Sequence, residues 1–184
     1  MKKSDTFVDG LTTILAKNKV IKPEEATAMK KAFHESEKPE FDEFLLQEGL
    51  VQESDLLKAL SQYYQVPAFD VLGYLFRHHL ITMFPKDFLL REAVIPLEVD
   101  NNILSVVASN PSKPGLESAL REYVSYDIAF RVGLKRDIGD AVQEFYDQAI
   151  NIIPTLSDLE QEERIKEQAE TEKDMTEPII GDQD

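Results

Sequence analysis

The side chains able to do chemistry are few, and their spacing does not suit it. His34, His78 and His79 are the three imidazoles in 184 residues. A metal pair on a helix needs i, i+4 spacing, and adjacent histidines point to different sides of the chain. They predict surface or half-buried imidazoles rather than a metal site or an oriented base. No serine stands in a Gly-x-Ser-x-Gly turn, so acyl transfer has no nucleophile elbow. The seven glycines are too dispersed to cradle a phosphate, and the absence of cysteine removes disulfides, thiolate ligands and iron–sulfur clusters. Carboxylates are abundant, 35 against 20 Lys and Arg, yet no pair is set in apolar surroundings that would raise a pKa. The expectation is a protein that is not an enzyme and holds no cofactor or metal. Tyr63-Tyr64 with Phe69 would stack a ligand base, although helical spacing from Leu56 and Leu60 predicts that they are core.

The elements that would position any site follow from composition and periodicity. At 42% hydrophobic and 30% charged the chain can build a packed core, and its net charge of −15 repels a phosphate backbone, so nucleic acid is not an expected partner. No window approaches 18 apolar residues and the Met1-Lys2-Lys3-Ser4-Asp5 start lacks an apolar signal stretch, which predicts a cytoplasmic protein that does not insert into a membrane.

Residues 5–66 read as helices. Pro23-Glu24-Glu25 makes a helix start, with Ala26, Met29, Ala32 and Phe33 at helical spacing, and Leu56, Leu57, Leu60, Tyr63 and Tyr64 repeat that pattern. A shift of 30 residues lays Ile14–Ile21 on Phe44–Val51 and Pro23–Ala26 on Glu53–Leu56, an internal duplication that predicts a four-helix unit. Residues 67–149 change pattern. Val94–Val99 and Ile103–Ala108, joined by Asp100-Asn101-Asn102, predict an antiparallel hairpin, and Tyr126–Val132 a third strand. Helices at Pro114–Tyr123 and Lys135–Gln148, and a short strand at Ala68–Val71, complete an α+β class with an antiparallel three- to four-stranded sheet. Residues 150–184 read as an acidic linker or tail; from 151 onward they hold 11 acidic and 3 basic residues.

The segment Phe41–Leu60 with Val66-Pro67-Ala68-Phe69-Asp70-Val71 resembles the N-terminal domain of type II secretion and type IV pilus assembly ATPases. Phe84–Leu89, Val94–Leu97, Asn102–Pro111 and Ile138–Tyr146 continue the likeness in order. The resemblance implies a non-catalytic docking module, without the ATPase domain. It would act as an adaptor on the cytoplasmic part of an inner-membrane assembly protein or on a secretion ATPase, at the inner membrane only through that partner. The alternative it implies is a receptor for cyclic di-GMP or another nucleotide with a degenerate motif. In that family's repeated 24-residue ligand pattern, Leu45, Gly49, Leu56 and Leu60 match, while Glu40, Phe41 and Asp42 replace the opening Arg-Leu-Gly and Tyr63 replaces the closing Gln. The first copy holds Gly10, Leu11 and Thr12 at the opening, Lys19 at the glycine and Phe33 at the close. The loss of phosphate contacts, with Glu40 and Asp42 repelling a diphosphate ligand, makes cyclic di-GMP an unlikely partner in this reading.

Overall fold

The structure, a computed structural model, describes residues 3–152; the expected acidic tail lies outside them from residue 153. The chain separates into two compact units between Glu144 and Phe145, and the first unit builds the core and the site.

Four helices come first: α1 (Lys3–Lys17), α2 (Pro23–Glu35), α3 (Phe41–Gln47) and α4 (Glu53–Tyr64). They are two copies of one helix–turn–helix unit. Lys19 and Gly49, thirty residues apart, both take positive φ, 60° and 65°. In the first copy the Lys19 N–H donates to the Ala16 carbonyl and the Val20 N–H to that of Leu15; in the second, Gly49 donates to Leu46 and Leu50 to Leu45. Each pair is a left-handed helix end that satisfies carbonyls otherwise left orphaned. The next helix restarts in register at Pro23 and Glu53. The Glu25 carboxylate accepts from the Lys22 backbone N–H at 2.8 Å, fixing the start of α2. Leu15 and Leu45 are fully buried, as are Leu11, Leu56 and Leu60, in one core that also takes in Val132 and Leu134.

After α5 (His78–Ile81) and α6 (Lys86–Glu92) come β1 (Val94–Asp100) and β2 (Ile103–Ala108), then α7 (Leu116–Arg121), β3 (Asp127–Val132) and α8 (Lys135–Ile152). The β1–β2 hairpin turns through Asn101 and Asn102, both at positive φ, the geometry that matches strand twist and that asparagine tolerates. Pro96 lacks an N–H, and the register of β1 shifts between Pro96 and Glu98.

The α+β class stands as read, and the sheet, in order β1-β2-β3, is mixed rather than antiparallel throughout. β3 pairs with β2 in parallel because α7 lies between them: a helical crossover returns the chain to the end from which β2 began, where a hairpin would reverse it. The expected fourth strand at Ala68–Val71 is reduced to a single bridge between Ala68 and Val132.

Candidate ligand-binding site

The two helical copies place their ends around a cleft of about 660 Å³, within the range of small-ligand sites. Phe33 closes α2, Tyr63 closes α4, and Glu40, Phe41 and Asp42 open α3; all five line it. Phe7 of α1 and Tyr64 add rings, and the turn after β2 contributes Ser109, Asn110 and Ser112. The aromatic lining forms two contacting sets. Phe7 meets Tyr63 edge-on at 5.1 Å between centroids, and Tyr63 meets Tyr64 edge-on at 5.0 Å. Phe33 meets Phe41 at 5.1 Å and Phe44 at 5.5 Å. All four contacts are in the range where ring quadrupoles add to burial.

The charged lining is acidic, with no Lys or Arg among the described residues that line the cleft. Glu40 is compensated, since Lys135 Nζ donates to its Oε1 at 2.6 Å and that bond holds the Lys135 pKa up. Asp42 is not compensated in this way. Burial, reinforced by Glu40, raises its carboxyl from the ordinary 3.8 to about 6, against the opposing pull of the backbone N–H groups of Asp42 and Glu43 at the start of α3. Burial also raises the Tyr64 phenol, with Asp42 as the next cause, so Tyr64 remains a neutral donor and acceptor.

Of the five motif positions read from the sequence, Tyr63 is the one that lines this cleft. Leu45, Leu56 and Leu60 are core, at 0%, 0% and 1% exposure. Gly49 caps α3 and lies at a second cleft, of about 940 Å³. There Arg136 donates to Glu53 and to the buried Asp137, closing an ion triad. Tyr63 and Tyr64 are half-buried and line the cleft, Tyr64 also packing against the core, and Phe69 stands apart from them, against Tyr74 and beneath Arg131. Sequence reasoning missed Phe7 and the Ser109–Ser112 turn. No local signal marks Phe7; Gly10, three residues on, marks instead the close approach of the Tyr63 ring. Among the described residues no group of His, Asp and Glu is arranged to hold a metal, and no helix is long and apolar enough to cross a membrane.

Residues 64–152 match the family described as the MshEN domain. Over 115 residues the chain is 26% identical to the type IV pilus assembly ATPase PilB of Myxococcus xanthus (strain DK1622), a match covering 62% of this chain and 20% of that protein. The matched chain thus spans about a fifth of the curated relative's length. Two solved structures share the fold. One is MshE with cdg, cyclic di-GMP, with a TM-score of 0.61 and 17% identity, covering 74% of this chain and 98% of that one. The other is the N-terminal domain of XpsE, with a TM-score of 0.55 and 19% identity, covering 78% and 96%.

The similarity to MshE with cdg and the match to its domain family overturn the expectation that set cyclic di-GMP aside as a partner. That expectation weighed the lost Arg and Gln contacts and the repulsion from Glu40 and Asp42, and gave no weight to an aromatic cleft at the same positions. Residues 64–152 therefore match the MshEN domain family, in a chain that shares the fold of MshE and of the XpsE N-terminal domain.

Proposed function

We propose that the protein is a cyclic-dinucleotide receptor module of type II secretion or type IV pilus machinery, binding cyclic di-GMP in the aromatic cleft. The observation that carries this reading is the convergence of the closing residues of both repeats, Phe33 and Tyr63, with the opening residues of the second, Glu40 to Asp42, on one cavity. Aromatic faces stack a base for about 1–3 kcal/mol each whatever its identity, so rings can replace charge as the source of affinity. Ser109, Asn110 and Ser112 offer neutral hydrogen bonds to phosphate oxygens without the long cationic side chains the motif has lost. The adaptor role expected from the sequence rests on resemblance alone, so it stands second.

Calorimetry of the full chain with cyclic di-GMP at pH 7.5, beside a Phe33→Ala/Tyr63→Ala variant, tests the reading. Saturable binding that the variant loses supports it, with a thermal shift following RT ln(1 + [L]/Kd). Absence of heat and of any thermal shift up to about 1 mM ligand, a Kd worth only about 4 kcal/mol, overturns it.

A further inference from the structure

Resting on the receptor reading above, we propose that Asp42 determines the specificity of the cleft, its carboxylate accepting the N1–H and exocyclic N2–H donors of one guanine. An ionised carboxylate has about four lone-pair sites. The backbone N–H groups of Asp42 and Glu43 hydrogen-bond the group, and among the described residues no side chain donates to it. A half-buried carboxylate that accepts from no side chain, beside stacking rings, is matched by a flat ligand that presents two parallel donors. Guanine has such an edge, whereas adenine offers one donor and one acceptor there and would set its ring nitrogen against the carboxylate. The same group would repel phosphate, which places the phosphodiesters toward Ser109, Asn110 and Ser112 rather than toward α3.

The titration behaviour separates the two roles of Asp42. The groups facing it are Glu40 at the start of α3, Glu43 within α3 and Tyr64 of α4, with Lys135 of α8 reaching Glu40. Tyr64 stays neutral and Lys135 stays charged, while Asp42, with its carboxyl near 6, changes charge between pH 7.5 and pH 5.5. If the carboxylate accepts from guanine, affinity falls as it protonates, by about fourfold at pH 5.5. If it only repels phosphate, affinity rises instead.

The experiment is calorimetry of the full chain with cyclic di-GMP and cyclic di-AMP at pH 7.5 and 5.5, repeated at pH 7.5 with Asp42→Asn and Asp42→Gly. The expected result is a preference for cyclic di-GMP of about tenfold or more at pH 7.5, weakened at pH 5.5 and abolished in both variants. Equal binding of the two ligands, or cyclic di-GMP affinity that rises at pH 5.5, overturns the role of Asp42 and leaves the receptor reading in place. Binding of neither overturns the receptor reading itself. The pH comparison uses the unaltered protein, so a variant that fails to fold does not blunt the test.

Discussion

The ring of Tyr63, at the end of the second repeat, is seated directly on Gly10, at the start of the first: a Cβ on residue 10 would stand 2.5 Å from Tyr63 Cε2. Glycine within a helix costs about 0.5–1 kcal/mol relative to alanine, and here it buys the close approach of a cleft-lining ring. Gly10→Ala therefore sets two effects of similar size against each other. The helix gains about 1 kcal/mol in propensity, while Tyr63 must leave its edge contacts with Phe7 and Tyr64, worth about 0.5–1.5 kcal/mol each. The melting temperature is expected to move little, while the near-ultraviolet tyrosine signal changes and cyclic di-GMP binding weakens about three- to tenfold. A variant with wild-type tyrosine spectrum and binding would remove Tyr63 from the site.

The paired helix ends make a second prediction, because the same left-handed conformation is filled by lysine in one copy and glycine in the other. For a residue with a Cβ this conformation costs about 1 kcal/mol or more. Lys19→Gly relieves that strain and exposes no buried surface, so it is expected to raise stability by about 0.5–1 kcal/mol in urea denaturation. Gly49→Ala meets open space around its Cβ but keeps φ at +65°, and should lower stability by about 1 kcal/mol. Two changes of the same sign would show that the two turns are not equivalent in solution.

Much of this architecture was legible in the sequence because local chemistry and tertiary packing agree in it. The 30-residue repeat, the turn at Asn101-Asn102 and the Pro23 start are short-range signals, and each appears where the residues put it. The direction of β3 was not legible from its own alternation, which is the same in parallel and antiparallel ladders; the helix before it held that information. Tyr63 and Tyr64 share the 3–4 spacing of Leu56 and Leu60, so periodicity alone assigned all four to the core. At the last turn of α4 that face meets Phe7 and borders the cleft, while Tyr64 still packs against the core. The cleft itself draws on residues near 7, 33, 40, 63 and 110, and no local pattern joins segments that far apart.

The matched leucines have a structural explanation that a ligand role does not need, and the two can be separated by measurement. Leu15 and Leu45 occupy equivalent buried places in the two copies. Replacing either by alanine removes the same atoms from one shared core, and each is expected to cost about 2–5 kcal/mol of unfolding free energy. Leu45→Ala protein that remains folded should bind cyclic di-GMP within about twofold of wild type, since Leu45 does not line the cleft. A stable Leu45→Ala variant that loses binding would move the ligand away from the aromatic cleft.

Asp42 also links the cleft to stability. Its carboxyl titrates at about 6 in the folded chain and at the ordinary 3.8 when unfolded, so the folded state holds the proton more tightly. The stabilisation from that proton is fully present below about pH 3.8 and is lost as pH rises through about 6, leaving the ionised group a net burden at neutral pH. Asparagine has nearly the same shape, keeps one oxygen to accept from the α3 backbone and carries no charge. Asp42→Asn is therefore expected to be more stable than wild type at pH 7.5 by about 1–2 kcal/mol, a margin reduced from the full shift because the lost second oxygen forfeits some hydrogen bonding. At pH 5 wild-type Asp42 is itself mostly protonated, and the difference should shrink to a few tenths of a kcal/mol. Urea denaturation of both proteins at the two pH values reads this directly. An advantage for Asp42→Asn that is unchanged at pH 5 would mean that the carboxylate is solvated, and an acceptor already solvated has no need of a guanine edge.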